Sequence, residues 1–588
     1  MKSFLKYTLA TITGLLICSV LLFFLSLASL SIMMASADKP VSISSNSILV
    51  LNTGLTIPEK GIKDPWSSFD PVDFTFKPAP GINDIISNLK RAATDERIKG
   101  VLIENGLMAN GWGKAEEIRN ALLRFKDSGK FIISYTDYLL TQESYYISSV
   151  ADSIYVNPNS LMEFKGLASE VIFYKNALDK LGVNIQVIRH GKYKGAVEPY
   201  IQDHLSEANR MQIKNYINSL WSHIINQVSV SRNIDPASLN SIADRLMALN
   251  VEKATESGLI DELIYRDELI EKLKILTGAE EGKKPEHVSM ARYRNVKNDI
   301  TEKAESSVAV IYAEGTIAMG EGSTGNIGGE RYSSIIRKIR EKGDHDAIVL
   351  RINSPGGNAM ASDNIWRELE LASKEIPVVV SMSNYAASGG YYMAVPATTI
   401  FAQPTTLTGS IGVYGLYPEA SELMNDKLGI SSEVVKTNEN SDMLSLFRGM
   451  NSHERMIYQQ NVDKTYMQFV SRVAEGRGID REKVDSMGQG QVYSGRDALE
   501  RNLIDKTGGL TEAIEEAATL ASLENYKLRE YPQYEDTYTR IMKSLSGGIS
   551  TRIIKRRLGT LTKYYDNINE LRSVEGVQAR LPYYIEIR

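Results

Sequence analysis

Asn384-Tyr385-Ala386-Ala387-Ser388-Gly389-Gly390-Tyr391-Tyr392 follows the apolar run Ile376-Pro377-Val378-Val379-Val380-Ser381-Met382. That run is short, β-branched and uncharged, and it reads as a buried strand. A single serine then stands among small residues, with two glycines behind it. This composition suits a nucleophile on a tight strand-to-helix turn, where a substrate backbone can come close and the next amide N–H can face a developing oxyanion. The same residues also suit a plain Gly-rich turn before a buried helix, because the pattern is not the G-x-S-x-G elbow.

Working outward, Ile348-Val349-Leu350-Arg351-Ile352 is a second strand-like run, and it ends in Asn353-Ser354-Pro355-Gly356-Gly357-Asn358. Pro-Gly-Gly stops the strand and bares backbone amides. Helical periodicity resumes by Ile365. Two strand ends with bare amides, some 30 residues apart, are what an oxyanion hole on a parallel α/β sheet requires. Leu407-Thr408-Gly409-Ser410-Ile411-Gly412-Val413 adds a hydroxyl flanked by glycines.

A serine hydroxyl needs a base. Six histidines are present, and none lies in a triad-like motif. His190 directly follows the strand-like run Val183–Arg189 and reads better as a polar residue closing that strand. The better base is Lys194, in Gly191-Lys192-Tyr193-Lys194-Gly195-Ala196-Val197-Glu198-Pro199-Tyr200. A lysine accepts a proton only when neutral, so burial must lower its pKa from about 10.4. Gly195, Ala196 and Val197 are compatible with such an apolar setting, although most lysines in such loops lie at the surface.

Together these four segments, in this order, resemble the signal peptide peptidase A family in its long form, membrane-bound serine proteases with a Ser-Lys dyad. The likeness runs over nearly the whole chain. It implies Ser388 as nucleophile, Lys194 as general base and Ser410 as the hydroxyl that orients the lysine. It also implies an oxyanion hole from the Gly357 region and the Gly389 amide, no cofactor, and a bowl-shaped homotetramer. Gly195 departs from the family, which often has serine after the lysine, and this puts a local hydrogen bond in doubt.

The chain also repeats itself at an offset of about 246 residues: Tyr145-Tyr146 aligns with Tyr391-Tyr392, Asn157-Pro158 with Gln403-Pro404, and Arg210-Met211 with Arg455-Met456. A repeat this long is a duplicated domain. The first copy keeps strands such as Ile98–Ile103 but lacks the chemistry. Asn353–Gly357 faces Asn105–Ala109, and Ala387-Ser388-Gly389 faces Thr141-Gln142-Glu143. Lys194 in turn falls opposite the neighbourhood of Ser441, so each copy supplies one member of the dyad. Alternating strand and helix periodicity predicts α/β domains with largely parallel sheets. With the resemblance, the expected order is a membrane anchor (1–40), an α/β domain supplying the lysine (41–276), a polar linker (277–307), an α/β domain with the nucleophile (308–535) and a basic tail (536–588). The expected fold is two tandem crotonase/ClpP-like domains behind a transmembrane helix.

Lys2 and Lys6 precede a stretch without charge from Tyr7 to Ala37. About 20 apolar residues span a bilayer and a signal-peptide core has about 7–15, so a retained anchor is the expectation, with Ala35-Ser36-Ala37 as an alternative cleavage site. The lysines favour a cytoplasmic N-terminus, which puts the rest on the periplasmic side of the inner membrane. Cys18, the only cysteine, lies in this stretch and rules out an intrachain disulfide. The net charge of −5 argues against nucleic-acid binding. No metal-ligand spacing is visible. Arg552–Arg557 is basic with apolar interruptions and suits either anionic lipid or a solvated helix face. Tyr145-Tyr146 and Tyr391-Tyr392 read as core packing.

Three functions compete. The first is a membrane-anchored serine endopeptidase that degrades cleaved signal peptides and other apolar peptides. The second is a crotonase-type acyl-CoA enzyme, disfavoured by export and by the lack of a phosphate or adenine site. The third is a non-catalytic membrane scaffold, against which an intact Ser388 with Lys194 argues.

Overall fold

The computed structural model describes residues 2–37, 43–62, 69–70, 75–76, 79–107, 110–279, 285–296, 304–323, 325–533 and 576–581. Two large sheets carry the two copies. In the first copy the strand order is Glu262–Leu263, Ser153–Val156, Phe131–Thr136, Ile98–Glu104, Ser47–Asn52, His287–Ser289, every pairing parallel. In the second, six strands run Lys506–Thr507, Thr399–Ala402, Val378–Ala387, Ala347–Ser354, Ser307–Glu314, Lys527–Tyr531, again all parallel, and Leu407–Gly409 and Val492–Ser494 branch from Val378–Ala387, the last pairing antiparallel. The two orders correspond strand for strand, which is the duplication expressed as topology. Both sets of central strands are apolar on both faces, as parallel sheets covered by helices require. Two long helices of 26 residues, Glu207–Arg232 and Ser452–Arg477, repeat as well.

Three expectations need adjusting. The strand before the nucleophile begins at Val378, behind Pro377, and runs to Ala387. Residues 385–387, read as turn, pair with Leu407–Gly409, so the ladder continues up to Ser388 itself. The helix after Gly357 begins at Ala359, six residues before its periodicity becomes visible, because Asn358 caps it by accepting from the Ala361 amide at 3.0 Å. The stretch 277–307 is not all linker. His287–Ser289 pairs with Ile48–Val50 as the edge strand of the first sheet, matching Lys527–Tyr531 in the second. Charge in the sequence around it masks so short a strand.

The halves are joined through buried charge. Arg351, fully buried in the second copy, bonds Glu59 at 2.8 Å and pairs with Glu117 at 2.6 Å, both from the first. Lys114 stands 3.4 Å from Glu59, and Ser383 donates to Glu59 at 2.5 Å. Burial would raise Glu59, but Arg351 and Lys114 outweigh it and hold that carboxyl at about 2.

A third, smaller sheet is assembled from both copies and lies over the site. Its order is Asn326–Gly328, Thr316–Ala318, Gly356–Asn358, Gln578–Arg580, Val413–Glu419, Asn184–His190. The last pair is antiparallel over seven residues, so a strand of the first copy is carried into the second.

At the N-terminus, Lys2–Ala37 is one helix. Its described apolar side chains, Leu9, Ile12, Leu16 and Leu21 among them, are exposed. Among the described residues no helix is long and apolar enough to cross a membrane. Most of the tail, including Arg552–Arg557, lies outside the described residues.

Candidate active site

Ser388 closes the Val378–Ala387 strand and caps the helix Gly389–Ala394 with φ 55° and ψ −115°. A non-glycine residue rarely adopts that conformation, at a cost of about 1–3 kcal/mol, and the surroundings must hold it there. They do so with two hydrogen bonds: the Ser388 amide donates to Gly409 O at 2.7 Å, and its carbonyl accepts from the Tyr392 amide at 2.8 Å. The pairing of Tyr385–Ala387 with Leu407–Gly409 thus delivers the strain and the support together. Tyr391 and Tyr392 are buried in the core behind this turn, as their sequence suggests.

Lys194 reaches Ser388 from the other copy, within one chain. Strand Asn184–His190 ends against Val413, and the chain turns through Gly191–Tyr193, where the Tyr193 amide donates to Gln489 O at 2.9 Å. Lys194 Nζ then lies 2.7 Å from Ser388 Oγ, 3.0 Å from Ser410 Oγ and 3.2 Å from Ser410 O; as a neutral amine it accepts from the Ser388 hydroxyl and donates its two N–H groups to Ser410. All three side chains are fully buried. No acidic group lowers the cost of charging the amine, and burial alone pushes Lys194 well below the usual lysine range. The shift favours the neutral amine beside the serine hydroxyl, and a general base must be neutral to accept a proton. Lys192, two residues away, is exposed.

The lysine's path depends on residues the sequence reading passed over. A Cβ on Gly412 would lie 3.3 Å from Lys194 Cδ and 2.8 Å from Gly490 Cα. A side chain there would collide with the Gly490 backbone and press on the lysine's methylenes. At Gly195, where a serine was the family expectation, a Cβ would lie 2.6 Å from the Asn209 carboxamide. Asn209 fills that space and donates to Glu198 at 2.6 Å. Neither feature has a signature in spacing, because each is a contact between segments far apart in sequence.

Gly357 and Gly389 come together as expected. A Cβ built on Gly389 would stand 3.2 Å from the Gly357 amide nitrogen, so the two glycines lie side by side next to Ser388. His190 does not join them. It bonds Asp463 at 2.8 Å and stacks on Tyr466 with ring centroids 3.9 Å apart. Ser441, opposite Lys194 in the repeat, lies in an exposed turn.

The first copy shows what the same turn becomes without the chemistry. Gln142 faces Ser388 at the spacing of the repeat, and Thr141 before it caps the helix Gln142–Ser148, accepting from the Ser144 amide at 3.3 Å. Two residues on, Glu143 is half-buried, with its carboxyl near the backbone amides of Gly111 and Asn110. Asn110 precedes a helix cap as Gly357 does, so Glu143 occupies the degenerate counterpart of the amide pocket. Burial pushes its carboxyl up to about 7 against the pull of those two amides.

The family model of peptidase family S49 matches this chain twice, over residues 124–280 and 370–524. The chain belongs to peptidase family S49. Both copies are matched, the blunted one included. A chloroplastic serine protease SPPA of Arabidopsis thaliana is 33% identical over 87% of this chain and 76% of its own length. Protease 4 of Salmonella typhi is 33% identical over 79% of this chain and 76% of its own. Among solved structures, a mutant of the 1510-N membrane-bound stomatin-specific protease gives a TM-score of 0.26 at 15% identity, covering 39% of this chain and all of that one. As an S49 peptidase the chain is a serine protease, and the acyl-CoA and scaffold alternatives fall away.

Proposed function

We propose that this S49 peptidase is a Ser-Lys dyad endopeptidase in which Ser388 attacks the scissile carbonyl and Lys194 takes its proton. The observation that carries the reading is the 2.7 Å contact between Lys194 Nζ and Ser388 Oγ in a wholly buried, acid-free setting. Ser410 holds the neutral amine toward Ser388 without adding charge. The amides of Gly357 and Gly389 receive the oxyanion. Ser388→Ala and Lys194→Ala are each expected to abolish cleavage of an apolar test peptide, while Lys192→Ala keeps most of it. An active Lys194→Ala with an inert Lys192→Ala would assign the base wrongly.

The substrates proposed are cleaved signal peptides and other apolar peptides, met at the membrane. The uncharged stretch Tyr7–Ala37 within one helix, with apolar side chains exposed, supports an N-terminal anchor. Lys2 and Lys6 support an orientation with the catalytic copies on the periplasmic side. Removing residues 1–42 should move the protein from the detergent phase to the aqueous phase and leave peptide cleavage intact; unchanged partitioning would argue against an anchor. The two copies are read as crotonase/ClpP-like, since strand-end amides of a parallel sheet form the pocket. A homotetramer is proposed too. The exposed apolar loop with Leu428, Ile430, Val434 and Val435 supports self-association, and sedimentation in detergent tests it.

A further inference from the structure

We propose that Tyr466 is a positioning residue for the base: its ring and its hydroxyl fix the two segments between which Lys194 is held, and so set the reach of the amine to Ser388. The inference rests on the Ser-Lys reading above and adds to it a residue of the long helix Ser452–Arg477.

Lys194 is held by a clip from the second copy, residues 488–492. The clip lies between the lysine's loop and the Ser410 turn and bonds both. Gln489 O accepts from the Tyr193 amide at 2.9 Å, the Gly490 amide donates to Ile411 O at 2.7 Å, and Gln491 O accepts from the Ser410 amide at 2.7 Å. Gly490 touches the base itself, since a Cβ there would stand 2.7 Å from Lys194 N and 2.8 Å from its Cα. Gly191, where the loop begins, is as near: a Cβ on it would stand 2.5 Å from the Gln489 carbonyl carbon. At its far end the clip pairs Val492 with Gly409, whose carbonyl receives the Ser388 amide. Two residues of this assembly take a left-handed backbone without being glycine, Gln489 with φ 54° and Ser410 with φ 53°. Such a conformation persists only where its neighbours over-determine it.

At Gln489 the neighbour is Tyr466. The Tyr466 hydroxyl donates to Asp485 and accepts from the Gln489 amide and from Gln489 Nε2, each at 3.2 Å. One proton and two lone pairs are all that a phenol hydroxyl has to offer. Gln489 Nε2 also donates to Asp485 at 2.7 Å, which closes the ring of bonds. On its other side the Tyr466 ring stacks on His190, the last residue before the lysine's loop, with centroids 3.9 Å apart. The whole side chain is buried. Its ring thus fixes the start of the loop and its hydroxyl fixes the clip. It acts on Lys194 through the backbone, not through Nζ.

The first copy is a natural control. The helices Glu207–Arg232 and Ser452–Arg477 correspond end to end, as do the N-cap positions Asp235 and Asp480 of the helices that follow. In that correspondence Trp221 stands where Tyr466 does, and Asn240 where Asp485 does. The bond between the two helices is kept, with Trp221 Nε1 donating to Asn240 at 2.9 Å. That bond is therefore common to both copies and belongs to their packing. The rest differs. In the first copy the following helix runs on to Asp244, the counterpart of Gln489, and an indole has no oxygen to receive an amide. In the second copy the helix stops at Met487, and Gln489 turns its amide to the Tyr466 hydroxyl. The copies part at the clip, and the hydroxyl stands in the copy that carries the serine.

The test follows hydrolysis of an apolar fluorogenic peptide and the urea midpoint in Tyr466→Phe, Asp485→Ala, Asp485→Asn, Trp221→Phe and Lys194→Ala. Tyr466→Phe keeps the ring on His190 and loses the hydroxyl. Its kcat should fall by roughly 10-fold or more, with KM within about twofold of the native chain's. Asp485→Ala should lose kcat in the same way, because the hydroxyl proton loses its acceptor. Asp485→Asn should recover most of that loss, because an amide oxygen accepts as Asn240 does. Trp221→Phe removes the corresponding bond of the first copy and should leave kcat native at a similar cost in urea midpoint. A Tyr466→Phe chain with native kcat, or with only KM raised, overturns the inference. A Trp221→Phe chain that loses as much kcat as Tyr466→Phe overturns it too, since helix packing would then carry the effect. Should Tyr466→Phe not fold, the Asp485 pair decides, and equal kcat in Asp485→Ala and Asp485→Asn overturns the inference. A Lys194→Ala chain with native kcat sinks the dyad, and the positioning role with it; an inert Lys194→Ala beside a native Tyr466→Phe removes Tyr466 alone.

Discussion

At the scale of single residues, the proposed mechanism turns on one buried amine and the hydroxyls around it. Ser410 accepts from or donates to Lys194 without adding a charge. Ser410→Ala should lower kcat by roughly 10- to 100-fold, about 1.4–2.7 kcal/mol of barrier, with KM nearly unchanged. Steady-state kinetics on a peptide checks this, and unchanged kcat would remove Ser410 from the mechanism. Holding Lys194 neutral is costly to the fold. The unfolded lysine binds a proton up to its ordinary pKa, whereas the folded one gives it up well below. Stability should therefore rise with pH between those two points. Lys194→Met keeps the volume and removes the cost, so it should be inactive yet more stable at pH 7, with that part of the pH dependence gone. Urea midpoints across pH 7–10 measure it; a less stable, pH-independent variant would show that the amine's hydrogen bonds outweigh its desolvation. Glu143 makes the opposite case. Its carboxyl is raised from 4.5 to about 7, so the folded state holds a proton that the unfolded state loses. Stability should fall as pH rises across that window, by on the order of 3 kcal/mol. Glu143→Gln should flatten the curve there in thermal melts between pH 4 and 8.

At the scale of elements, the buried charges between the copies carry weight. Arg351 leaves its strand to meet Glu59 and Glu117 of the other copy. Arg351→Met should destabilise by about 3–5 kcal/mol, because two carboxylates lose their buried partner. Chemical denaturation checks the figure, and a neutral result would mean that Lys114 and water suffice. The strands and their duplication were legible in the sequence because parallel central strands are continuous apolar runs and a copied domain copies its spacing. Ser388, Lys194, Ser410, Gly357 and Gly389 were legible only as four motifs in order, and the structure does bring them together. Other elements left no such trace. His287–Ser289 is three residues long in a charged stretch. Gln578–Arg580 is defined by its neighbours and has no pattern of its own: alternation over three residues has no statistical signature. Gly412 and Asn209 matter through contacts with Lys194 and Gly195 that no local periodicity encodes.

At the scale of the whole molecule, duplication divided the labour. The first copy gave up its own turn, where Thr141 and Glu143 now stand, and kept the strand that carries Lys194 across to the second. The second kept the strained serine and the amide pocket. On the proposed mechanism neither copy alone holds a nucleophile with its base. This division is the central claim, and covalent labelling tests it most directly. A serine-reactive phosphonate, its adduct mapped by peptide mass and its rate followed from pH 5 to 10, should mark Ser388 alone. The rate should rise with deprotonation of one group below the ordinary lysine range, and labelling should be lost in Lys194→Met. An adduct on another serine, or an unchanged rate in Lys194→Met, would contradict a dyad shared between the two copies.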